Sequence, residues 1–116
     1  MSRRMAVRRS ERLKQSKIYG LLGLAARGRN VVSGEFSVEN AVKDGSAMLV
    51  IVAQDASDNT RKLFKDKCSY YGVPVYLYGT KEELGHCIGK EIRSSVAVLE
   101  EGLARTIEKH LEELQN

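Results

Sequence analysis

The chain has 116 residues, 42% of them apolar and 29% charged, which suits one soluble globular domain. No apolar run approaches the roughly 20 residues of a bilayer span, and no apolar core follows the basic N-terminus as an export signal would require. These features exclude a membrane protein and point to the cytoplasm.

Charge is unevenly distributed. "MSRRMAVRRSERLKQSK" (residues 1–17) holds seven Arg and Lys against one acid, whereas the rest of the chain carries twelve Arg and Lys against fourteen acids. Residues 1–16 offer little apolar surface to bury, so they read as a basic, flexible arm. Such an arm is suited to sequence-independent phosphate contact, or is simply a solvated tail. Residues 17–116 read as a single domain.

In "KIYGLLGLAAR", Ile18, Leu21, Leu22 and Ala25 fall at helical spacing, and Gly20 and Gly23 mark close packing against that face. "NVV" is a very short strand candidate. Ser33 reads as the cap of the next helix and Gly45 as its left-handed end, with Val38, Ala41 and Val42 on the inner face. "AMLVIVAQ" is continuously apolar, the pattern of a strand covered on both faces. Ser57 or Asp58 opens a third helix, with Leu63, Phe64, Cys68 and Tyr71 inward. "VPVYLYG" is a strand in which Pro74 is tolerable near the start or on an edge. Thr80 and Glu83 form a capping-box pattern for a short helix. "SSVAVL" is a last strand, and Leu103, Ile107, Leu111 and Leu114 line an amphipathic final helix. Helices alternating with short apolar strands predict an α/β/α sandwich around a four-stranded, mixed sheet.

Catalytic signatures are missing. There is no Walker sequence, no GxGxxG after a strand, no HExxH and no GxSxG. Glycines 20, 23, 85 and 89 read as packing residues. His86 and His110 are too few for a metal site, His110 reads as exposed, and the paired acids sit at helix ends or on polar faces. Cys68 and Cys87 lack CxxC spacing and read as partly buried thiols. A binding protein without enzyme activity, cofactor or metal is the expectation.

Two segments have the form that nucleic-acid contact requires. At Ser33-Gly34 a strand gives way to a helix whose first N–H groups can meet a phosphate or base acceptor. In "LGHCIGKEIRSS" (residues 84–95), Lys90, Glu91, Ile92 and Arg93 combine cations with an aliphatic side chain able to pack on an unstacked base.

"GRNVVSGEFSVENAVKDGSAMLVIVAQDAS" followed by "CSYYGVPVYLYGTKEELGHCIGKEIRSSVAV" resembles the L7Ae/L30e family of ribosomal and kink-turn RNA-binding proteins, and within it the small bacterial YlxQ-type branch. The likeness spans about residues 17–110. It implies a three-layer α/β/α fold with a four-stranded mixed sheet, and RNA, ribosomal or ribosome-associated, as the ligand of a monomer. Kink-turn binders of the family carry Gly-x-Asn-Glu-x-x-Lys at a helix N-terminus, where it reads the guanines of sheared G·A pairs. With the glycine at Gly34, this chain has Phe36, Ser37 and Asn40 at the Asn, Glu and Lys positions. Ser37 and Asn40 retain hydrogen-bonding capacity without charge, and Phe36 either stacks on a base or folds onto the core. Glu35 and Glu39 oppose phosphates there, while Arg27, Arg29, Lys43 and the arm offset them. The second contact loop of the family corresponds to Lys90, Glu91, Ile92 and Arg93. Because three reader positions are altered, a protein-interaction adaptor on the same fold is the competing expectation, and protein partners stand beside RNA.

Overall fold

A computed structural model describes residues 2–115, with side chains from residue 12 onward except that of Lys14. Nine elements follow one another: α1 (Ser2–Arg27), β1 (Val31–Ser33), α2 (Glu35–Lys43), β2 (Leu49–Val52), α3 (Asp58–Tyr71), β3 (Val75–Leu77), α4 (Lys81–Cys87), β4 (Ser95–Val98) and α5 (Glu101–Gln115). The basic residues expected as an arm fall in the first half of α1.

The four strands form one mixed sheet in the order β1-β4-β2-β3, antiparallel except for the β2–β3 pair. The central strands β2 and β4 are buried throughout, as their unbroken apolar sequences require when helices cover both faces. Helices α2 and α3 pack together over β1, β4, β2 and β3, while α1 and α5 pair in the other helical layer and α4 lies against α1. Ile18, Leu22, Val38, Ile51, Phe64, Leu84, Ile107 and Leu111 fill the core. The expected three-layer α/β/α sandwich is the fold.

Register places the site. Ser33 pairs with Val96, and Val52 pairs with both Ser95 and Leu77, so these ends of all four strands lie together. At the same end the ring of Tyr19 rests against that of Tyr78, centroid to centroid 5.5 Å.

Several local expectations are corrected. Ser33 does not cap α2. It belongs to β1, and Gly34 takes the N-cap position with no side-chain cap hydrogen bond. Gly45 does end α2 as expected: Asp44 is the C-cap and Gly45 follows it in the left-handed conformation (φ 83°). Tyr71 is 43% exposed, because the inner stripe of α3 stops at the buried Cys68. Among the glycines, Gly23 packs against the carbonyl of Cys87 and Gly85 against that of Glu91, whereas Gly20 and Gly89 face open space. His110 is only partly exposed, with a side-chain exposure of 17%.

Candidate nucleic-acid interface

Gly34 adopts φ 91° and ψ 150°, a region open essentially to glycine alone. Its N–H donates to the Ser95 carbonyl at 3.1 Å, which ties the start of α2 to β4, and its carbonyl accepts the first helical bond from Val38 at 3.0 Å. The intervening N–H groups of Glu35, Phe36 and Ser37 have no place in the helical ladder. With no side chain over them, they point outward.

The second segment is folded back on α4. Lys90 N–H donates to the Gly85 carbonyl at 2.8 Å and Arg93 N–H to that of Lys81 at 3.0 Å. Gly89 supplies a left-handed turn (φ 78°), and Gly85 is buried without a side chain because the Glu91 carbonyl lies directly over it. Arg93 then crosses to the other segment. Its Nε donates to Ser33 Oγ at 3.0 Å and its Nη1 to the Ile92 carbonyl at 2.7 Å, while Nη2 has no partner among the described residues. One guanidinium thus joins the ends of β1 and β4.

The two segments open onto one hollow of about 450 Å³, lined by Ser33, Gly34, Glu35, Phe36 and Ser37 on one side and Ile92, Arg93 and Ser94 on the other, with Thr60 between. Phe36 is 79% exposed and Ile92 59%, so neither serves the core. A second hollow of about 290 Å³ shares Ser33 and is lined by Arg29 and Lys90. Arg29 is held in a left-handed turn (φ 61°) after α1, with its N–H donating to Ala26.

Three expected contact residues lie outside these hollows. Asn40 is exposed further along α2, and Lys43 sits at its far end, paired with Glu39 at 3.2 Å. Glu91 contributes its carbonyl to the packing over Gly85 while its side chain is exposed. Thr60 and Ser94 were not expected. Thr60 belongs to the first turn of α3, and only the sheet order brings it here. Ser94, directly after Arg93, was nearer to hand.

Chemistry elsewhere is quiet. Burial pushes the Cys68 and Cys87 thiols up to about 11, so both stay protonated at neutral pH, and Cys87 Sγ donates to the Leu84 carbonyl at 3.2 Å. Among the described residues no three His, Cys, Asp or Glu side chains gather as metal ligands, and no helix is long and apolar enough to cross a membrane. What the hollow presents is a row of backbone donors, one fixed cation and two exposed apolar surfaces. That set fits a ligand with acceptor atoms and flat faces.

Comparison with known proteins gives a consistent result. The profile of the ribosomal protein L7Ae/L30e/S12e/Gadd45 family matches residues 16–108. The RNA-binding protein YlxQ of Bacillus subtilis (strain 168) is 46% identical over 89 residues, covering 77% of this chain and 89% of that protein. A solved structure of a Bacillus halodurans protein of unknown function superposes with a TM-score of 0.81 at 40% identity, over 83% of this chain and 97% of that one. The 15.5kD RNA binding protein of Giardia lamblia shares the fold at a TM-score of 0.73 and 21% identity, over 88% of each chain.

Proposed function

Because the chain belongs to the ribosomal protein L7Ae/L30e/S12e/Gadd45 family, we propose that it is a non-enzymatic RNA-binding protein acting on ribosomal or ribosome-associated RNA in the cytoplasm, as a monomer. One observation carries the reading. The uncapped start of α2 and the exposed Phe36 open onto the same hollow as Ile92 and Arg93. The B. subtilis relative, matched over most of both chains, is named as an RNA-binding protein, which supports the same assignment.

In the proposed complex, the amides of Glu35, Phe36 and Ser37 meet a phosphate or base edge, favoured by the positive end of the helix dipole. Phe36 and Ile92 take an unstacked base between them, and Nη2 of Arg93 bonds an acceptor without having to be ordered first. The target is a bent, kink-turn-like RNA. With Phe36, Ser37 and Asn40 at the three reader positions, stacking replaces part of the polar recognition of G·A pairs. A stacked base contributes about 1–3 kcal/mol, comparable to a bidentate base contact. The basic N-terminal half of α1 adds sequence-independent phosphate contacts along the flanking RNA helix.

The test compares binding of a kink-turn RNA with the same RNA carrying disrupted G·A pairs. Preference for the intact bend is expected, and equal affinity for both would overturn kink-turn recognition. Deleting residues 1–14 should flatten the dependence of affinity on salt, measured as the slope of log K against log salt concentration.

A further inference from the structure

On the side of the sheet away from β1, strand β3 is an edge. Among the described residues it pairs only with β2, and its direction fixes which backbone groups remain open. Val50 N–H donates to the Pro74 carbonyl and Tyr78 N–H to that of Val52, so Pro74, Tyr76 and Tyr78 face inward. By the alternation of a strand, the N–H and C=O of both Val75 and Leu77 point outward. Beside this edge a groove of about 670 Å³ runs between β3 and α3, floored by Val52, Val75 and Leu77. Leu77 is 43% exposed although it belongs to a strand of the core sheet.

Charge around the edge is sided. On the α3 wall, Arg61 is neutralised by its ion pair with Asp58, which leaves the exposed Lys62 and Lys65 against Asp66. On the opposite face Tyr76 points to α5, where its hydroxyl donates to Glu108 Oε2 at 2.9 Å and lies 3.2 Å from Glu112 Oε1. A strand laid along β3 therefore meets cations on one side of its pleat and carboxylates on the other.

We propose that the open edge of β3, with the groove it shares with α3, receives an extended acidic segment of a protein partner as a fifth strand. The segment would carry acidic side chains at alternate positions, facing Lys62 and Lys65, with neutral residues between them facing Glu108 and Glu112. Strand addition supplies the main-chain bonds, and the sided charge sets the register and excludes basic segments. An aliphatic floor beside paired backbone donors and acceptors matches a peptide strand better than a nucleic acid, which would need stacking surfaces and a row of cations. The proposal is independent of RNA binding at the Gly34 hollow.

The experiment titrates the full, isotope-labelled chain with a capped seven-residue peptide of alternating Val and Glu, following the backbone amides by NMR. Shifts centred on Val75 and Leu77 are expected. The same peptide with Gln for Glu should bind about fivefold more weakly, and the charge reversals Lys62→Glu and Lys65→Glu should remove that difference. Leu77→Pro deletes an outward N–H that no internal bond uses, so it should abolish binding. A peptide N-methylated at alternate amides should fail likewise against the unaltered protein, whatever Leu77→Pro does to folding. Unmoved Val75 and Leu77 amides, equal binding of the Gln peptide, or displacement of those amides by a uridine oligonucleotide instead of the peptide would each overturn the proposal.

Discussion

Helices α2 and α4 begin at the same end of the sheet and treat their first turns in opposite ways. At α4, Thr80 Oγ1 accepts from Glu83 N–H at 3.0 Å and Glu83 Oε1 accepts from Thr80 N–H at 3.1 Å. The Tyr19 hydroxyl, made far less acidic than an ordinary phenol by burial and by the neighbouring Tyr78, then donates to that same carboxylate oxygen. Every local device for satisfying a helix start is in place there. At α2 the first-turn Glu35 complements the helix dipole, but no side chain caps the start. The cap is a glycine with positive φ, and an aromatic ring stands in solvent over the first turn. A helix start sealed by its own side chains contributes stability, whereas one left unsealed keeps its donors for something else. Under the proposed function, the contrast separates a structural terminus from a binding one within one small domain.

Substitutions can sharpen or break that distinction. The largest effect is expected at Gly85, where a Cβ would collide with the Glu91 carbonyl. Gly85→Ala should cost about 3 kcal/mol in denaturant unfolding and displace the loop carrying Ile92 and Arg93, so that RNA affinity falls too. Next is Gly34→Ala, which meets no neighbouring atom yet forces a side chain into a glycine-only conformation. About 2 kcal/mol of stability should be lost, with weakened RNA binding as the amides are re-aimed. Phe36→Ala should leave stability within about 0.5 kcal/mol and lower RNA affinity by about 1–3 kcal/mol, measured by titration. Unchanged affinity there would remove stacking from the mechanism. The smallest is Thr80→Ala, expected to cost about 1 kcal/mol of stability while leaving RNA affinity as it was. If Thr80→Ala weakened binding as much as Phe36→Ala, the two termini would not differ in role.

Much of the fold was legible in residue pattern alone. The unbroken apolar runs of β2 and β4, the Thr80–Glu83 box and the stripe of α5 are local signals, and each element formed where its pattern pointed. Ser33 misled because a serine before a helix is normally its cap, whereas here a long-range partner, Arg93, engages its hydroxyl. Tyr71 misled because helical spacing continues past the point where α3 leaves the core. At the candidate interface, the two segments were recognisable from Gly34 and from the cation-aliphatic mixture at Lys90 to Arg93. Their meeting at one hollow was not, nor was Thr60, since neither follows without the strand order. Asn40 was placed by alignment to a motif and Lys43 as a charge offsetting the nearby acids, while the hollow ends short of both.

The pairing of β1 with β4 has a consequence in time as well as in space. The Gly34 amides belong to the first half of the chain and Ile92 and Arg93 to the last third, joined through the Gly34–Ser95 and Arg93–Ser33 bonds. A chain emerging from the ribosome as far as β3 already contains α2 and Thr60, yet the Ile92–Arg93 side of the hollow is still missing. Under the proposed function, RNA capture would then begin only once β4 has been made, and bound RNA would in turn stabilise the joining of β4 to the sheet. RNA held in the proposed site would thereby report that β1 and β4 have paired.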